Sequence, residues 1–92
     1  LASELGPHGV RVNAICPGAV EGPRMERVIA MEAAGRGIPE DAVRAGFTEG
    51  VALRRFVTAE EVAAMALFLA SPGAVAISGQ ALAVDGHTER TT

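Results

Sequence analysis

Chemistry in this sequence has few side chains to draw on. All eight positive charges are arginines, lysine and tyrosine are absent, and the two histidines, His8 and His87, lie near opposite ends of the 92 residues. Cys16 is the single cysteine, so no disulfide closes within the chain, and with two histidines it falls short of a structural zinc site. No metal is expected. Flanked by Ile15 and Pro17, Cys16 reads as a buried, unreactive thiol. Arg24, Arg27, Arg54 and Arg55 carry the planar fork that grips a phosphate or carboxylate. Surface arginines are more often solvated, or paired, here with Glu26 or Glu49. His87, alone near a terminus, reads as solvated. From the residues alone, Pro17-Gly18 reads as the end of a strand.

The elements that position these groups come from a chain long enough for one small domain at most. Hydrophobic residues make up 49% and aromatic ones only 3%, so any core is built from Ala, Val, Leu, Ile and Met. The net charge of −3 and scattered arginines leave no nucleic-acid footprint. The longest apolar run, Val62 to Ala70, is too short to span a bilayer, and no charged signal segment precedes it; a cytoplasmic location without a membrane partner is expected. The chain opens at Leu1 directly in a helical-looking stretch, as though cut from a longer one.

Leu1 to Leu5 reads as a helix tail stopped by Gly6-Pro7. Val10 to Cys16 alternates with β-branched residues prominent, which predicts a strand broken at Pro17-Gly18. Pro23 suits a first helical position, and Met25, Val28, Ile29 and Glu32 follow at helical spacing up to Gly35. A second helix starts at Pro39-Glu40-Asp41 and runs to about Gly50. Together they form an excursion of the kind that serves as a lid or substrate loop. Thr58-Ala59-Glu60-Glu61 is a capping box. The helix it opens carries Val62, Met65, Ala66 and Leu69 on one face, widened by Leu67 and Phe68, and stops at Ser71-Pro72-Gly73. Gln80 to Val84, closed by an Asp85-Gly86 turn, suits a strand buried on both faces of a parallel sheet. Two such strands form a crossover unit whose edges need neighbours.

The run Leu1-Ala2-Ser3-Glu4-Leu5-Gly6-Pro7-His8-Gly9-Val10-Arg11-Val12-Asn13-Ala14-Ile15-Cys16-Pro17-Gly18-Ala19-Val20 resembles the stretch that follows the catalytic helix in short-chain dehydrogenases/reductases. Thr58-Ala59-Glu60-Glu61-Val62-Ala63, Phe68-Leu69-Ala70-Ser71 and Ile77-Ser78-Gly79-Gln80-Ala81-Leu82-Ala83-Val84-Asp85-Gly86 resemble that family's last long helix and last strand, in the right order. The resemblance implies an α/β fold: the C-terminal part of a Rossmann-like doubly wound parallel sheet, its last two strands and their helices. It divides the chain into a helix tail and strand (1–18), a cofactor and substrate loop region (19–56), a last helix and strand (57–86) and a tail (87–92).

The same resemblance implies an oxidoreductase that passes a hydride between NAD or NADP and a carbonyl or alcohol substrate. The family's proton-handling Tyr and Lys are absent here, as is its glycine-rich phosphate loop, so no catalytic residue is assigned and the chain alone is expected to be inactive. Pro17, Gly18, Ala19 and Val20 fall where the family's chain passes the nicotinamide, with the Val20 backbone at the carboxamide. A threonine frequent two residues later is Gly22 here, with Glu21, Arg24 or a backbone amide as possible substitutes. Met25 and Val28 fall at the substrate pocket, with Ile29, Phe47 and Val51 near it, although packing of the short helices explains these residues equally well. Asn13 is read as structural. Relatives form dimers or tetramers through the last helix and strand, which implies a homo-oligomer. The alternative is a non-catalytic binding or oligomerisation module derived from the same fold.

Overall fold

The computed structural model describes residues 1–88. The tail expected over 87–92 lies outside the described residues beyond position 88. Helix α1 (Ala2–Leu5) passes into a 3-10 turn, Gly6–His8, and the chain reaches strand β1 at Ala14–Pro17. Helices α2 (Pro23–Arg36) and α3 (Glu40–Glu49) follow, then α4 (Ala59–Leu69), a second 3-10 turn (Pro72–Ala74) and strand β2 (Ala81–Val84).

The two strands pair in parallel, Ala14 with Ala81 through Pro17 with Val84. The fold is thus α/β, with a crossover carrying the helices. The first strand begins later than the alternation at Val10 predicts. Residues 11–13 are held by the loop before β2: Val12 N–H donates to Ser78 Oγ at 3.2 Å, Asn13 Nδ2 donates to the Ile77 carbonyl, and the Gln80 N–H donates to Asn13 Oδ1. Arg11 reaches across to the carbonyls of Leu69 and Ile77, satisfying the end of α4. Asn13 is therefore structural, as its position suggested.

Side chains alternate across a strand, so Ala14, Cys16, Ala81 and Ala83 share one face, and all four are exposed. Ile15, Leu82 and Val84, on the other face, are half-buried. Two expectations fail for the same reason. Cys16 is exposed rather than buried, and β2 is not buried on both faces, because nothing among the described residues covers the small-residue side. Likewise α4 buries Leu69 and half-buries Val62 and Met65, yet leaves Leu67 73% and Phe68 46% exposed.

The best-packed region is the excursion itself. Ile29 and Ala33 of α2, Val43 of α3 and Phe56 form a buried cluster, against which Ala19, Met25, Ile38 and Phe47 pack. The Phe47 and Phe56 rings meet edge to face at 6.1 Å. Helix α2 stops at Gly37, whose left-handed φ of 67° lets its N–H turn back to the Ala33 carbonyl. With this cluster at one end and the sheet at the other, the chain extends over 56 × 29 × 21 Å. Its radius of gyration of 17.1 Å exceeds the ~12 Å of a compact domain this long.

Candidate functional site

The site grows from the end of β1. Gly18 N–H donates to the Val84 carbonyl at 3.0 Å, which carries the chain off the sheet beside the end of β2. A Cβ on Gly18 would lie 2.7 Å from the Asp85 Cβ and 2.9 Å from its Cα. The glycine is thus required by the Asp85 backbone, a contact within the chain that the sequence reading did not foresee. Beyond it, Val20 forms a parallel bridge with Val57: Val57 N–H donates to the Ala19 carbonyl at 3.0 Å and Glu21 N–H donates to the Val57 carbonyl at 2.8 Å. Both bonds use the neighbours of Val20. Among the described residues the Val20 N–H and C=O themselves have no partner.

These residues border an open depression of about 450 Å³, lined by the chain from Gly18 to Met25 and by Val28. Of the six positions singled out for cofactor and substrate, it brings together Gly18, Ala19, Val20, Met25 and Val28; Pro17 ends the strand outside it. Met25 is half-buried and packs on the α2–α3 cluster, whereas Val28 is 41% exposed. Ile29, Phe47 and Val51 serve packing. Gly22 has φ 155° and ψ 177°, a conformation essentially reserved for glycine, which accounts locally for the missing threonine. Glu21 and Arg24 line the depression beside it.

A second depression, about 370 Å³, adjoins the first through Glu21 and is lined by Asp41, Arg44, Thr48, Arg54, Arg55 and Phe56. Its arginines are largely committed. Arg44 binds Glu26 with both carboxylate oxygens, at 3.0 and 2.8 Å, joining α2 to α3, and its guanidinium lies 5.8 Å from the Phe56 ring centre. Arg55 binds Glu61 bidentately at 2.8 and 2.6 Å. Hydrogen bonding to these carboxylates raises both guanidinium pKa values, while the Arg55 bond, then the Thr58 N–H, lowers Glu61 to about 2. Glu26 is therefore taken by Arg44 rather than by the arginines expected from sequence. Arg54 donates to the Val51 carbonyl and sits at φ 56°, left-handed for a non-glycine residue.

Sequence reasoning treated Asp85 only as part of a turn and passed over Arg44 altogether. The Asp85-Gly86 pair signals a turn, but its contact with Gly18 joins positions distant in the chain. Arg44 lies 18 residues from its partner Glu26, beyond any helical spacing rule. Among the described residues no group of three or more His, Cys, Asp or Glu side chains is placed to hold a metal.

Residues 1–87 match the family model described as enoyl-(acyl carrier protein) reductase. The chain is 40% identical over 87 residues to D-beta-hydroxybutyrate dehydrogenase of Rhizobium meliloti, covering 94% of this chain and 34% of that one. Among solved structures it is similar to a short chain dehydrogenase family protein of Francisella tularensis, with a TM-score of 0.85 at 29% identity over 94% of this chain and 36% of that one. It is similar also to L-sorbose reductase of Gluconobacter frateurii, solved with NADPH and L-sorbose, with a TM-score of 0.84 at 28% identity over 99% of this chain and 35% of that one. The chain spans about a third of the length of the curated relatives it matches.

Proposed function

The chain belongs to the short-chain dehydrogenase/reductase family, and from that membership we propose that it supplies the nicotinamide-side loop and substrate-side helices of an oxidoreductase acting on a carbonyl or alcohol. The observation that carries this reading is the pair of free backbone groups at Val20, which border the 450 Å³ depression. A donor and an acceptor on one residue complement a carboxamide, which has the same two functions. NAD or NADP, when bound, supplies or accepts the hydride. Val20 would hold the carboxamide end, Gly18 and Ala19 would set the approach of the loop, and Met25 and Val28 would present an apolar wall to the substrate. With neither tyrosine nor lysine in these residues, proton transfer is assigned to a portion of the polypeptide outside this sequence.

The test follows the Val20 amide by NMR in the complete gene product as NADPH or NADH is added. The Val20 resonance is expected to move while that of Glu21, already bonded to Val57, stays nearly fixed. A folded gene product that binds neither nucleotide overturns the reading. We infer also that the exposed Leu67 and Phe68 of α4 are covered by a second copy of the protein in its assembled state. A sedimentation coefficient of a monomer at micromolar concentration would contradict this.

A further inference from the structure

We propose that Asp85 is a positioning residue that ties the candidate cofactor loop to the base of the α2–α3 excursion, so that the two move as one unit; the inference rests on the functional reading above. Asp85 does this with two different parts. Its Cα and Cβ fill the space against Gly18, at the root of the loop that carries Val20. Its carboxylate faces the other way along the chain, where Oδ1 accepts the His87 N–H at 2.8 Å.

That hydrogen bond closes a tight turn in which Gly86 and His87 are both left-handed, at φ 67° and 66°. For glycine this conformation is ordinary, whereas for histidine it is uncommon. The turn so held aims two carbonyls at the segment that leaves α3: Ala52 N–H donates to His87 O at 2.8 Å and Leu53 N–H donates to Gly86 O at 3.0 Å. Val51 closes the junction in an antiparallel bridge with Thr88, and its Cγ1 lies 2.9 Å from where a Cβ on Gly86 would be. Arg54, one residue beyond, is itself left-handed. Two non-glycine residues in this uncommon region thus flank one junction, and the Asp85 carboxylate bonds within the turn that forms one side of it. A displacement of Gly18 is passed to Asp85 by direct contact, and from Asp85 to residues 51–53 through the turn.

Amide hydrogen exchange on the complete gene product tests this. In Asp85→Ala the Ala52 and Leu53 amides are expected to exchange at least about tenfold faster, while the sheet amide of Ala14, bonded to the Gln80 carbonyl, keeps its rate. Asp85→Asn retains an acceptor oxygen and is expected to restore protection. His87→Gly, which adopts the left-handed turn freely, is expected to restore it in the Asp85→Ala background. NADPH is expected to slow exchange at Ala52 and Leu53 in the unaltered protein and not in Asp85→Ala. Unchanged protection of Ala52 and Leu53 in Asp85→Ala, or equal loss in Asp85→Asn, overturns the proposal. If Asp85→Ala fails to fold, the comparison of Asp85→Asn with the unaltered protein still decides it, since NADPH must slow Ala52 and Leu53 in both. Absence of any NADPH effect at Val20 would instead defeat the functional reading and leave the turn's role to the variants alone.

Discussion

Arg55 and Glu61 face each other fork to fork, Nη1 to Oε1 at 2.8 Å and Nη2 to Oε2 at 2.6 Å, while the same Glu61 carboxylate accepts the Thr58 N–H at 2.7 Å. One side chain therefore closes the capping box of α4 and fastens the preceding segment to it.

A pH dependence follows. Glu61 is lowered from 4.5 to about 2 in the folded chain, first by Arg55 and then by the Thr58 amide. A carboxylate depressed on folding stabilises above its unfolded pKa, and that contribution drains away as pH falls toward the folded value. Urea midpoints recorded between pH 5 and pH 2 should therefore fall, and Glu61→Gln should flatten that slope. An identical slope in the variant would show that other carboxylates are responsible.

Thr58→Ala removes the hydroxyl that accepts the Glu61 N–H at 3.1 Å. A loss of about 1 kcal/mol is expected, read from chemical denaturation. Thr58→Ser, which keeps the acceptor, should lose much less.

Gly18→Ala places a methyl within 2.7 Å of Asp85. Backbone on both sides leaves little room to yield, so the expected loss is about 1–3 kcal/mol. Calorimetry that finds the variant as stable as its parent would mean the two segments are not pressed together.

Arg54 tests the left-handed backbone separately from its side chain. Arg54→Ala and Arg54→Gly both lose the bond to the Val51 carbonyl, but only glycine relaxes at φ 56°. The glycine variant should be more stable than the alanine variant by about 1 kcal/mol. The reverse order in thermal melts would contradict the conformation.

The 92 residues alone should not reduce carbonyl compounds with NADH or NADPH, because they contain neither tyrosine nor lysine to manage the proton. Absorbance at the nicotinamide band with purified chain measures this directly. Turnover above a protein-free blank would place the chemistry within these residues after all.

Much of the secondary structure was legible because its signals are local. Pro23 begins α2 at its first residue, Thr58 caps α4 with the reciprocal Glu61 bond, and Asp85-Gly86 ends β2 in a turn. Each depends on residues a few positions apart, whose geometry the backbone constrains directly. The parallel strand pair was legible as well, since a helical crossover between two apolar runs permits it.

Sequence by itself settled where the helices start, that the strands run parallel, and that these residues include no tyrosine and no lysine. Tertiary structure alone decided that Cys16 is exposed among the described residues, that Gly18 is a glycine on account of Asp85, and that Arg44 rather than a nearer arginine takes Glu26. It also decided that residues 51–53 are bound to the turn after β2. The reason is range: caps and turns are closed by neighbours in the chain, whereas exposure, close backbone approach and cross-helix ion pairs depend on which distant segments meet. Composition carries no record of that meeting until the chain is folded.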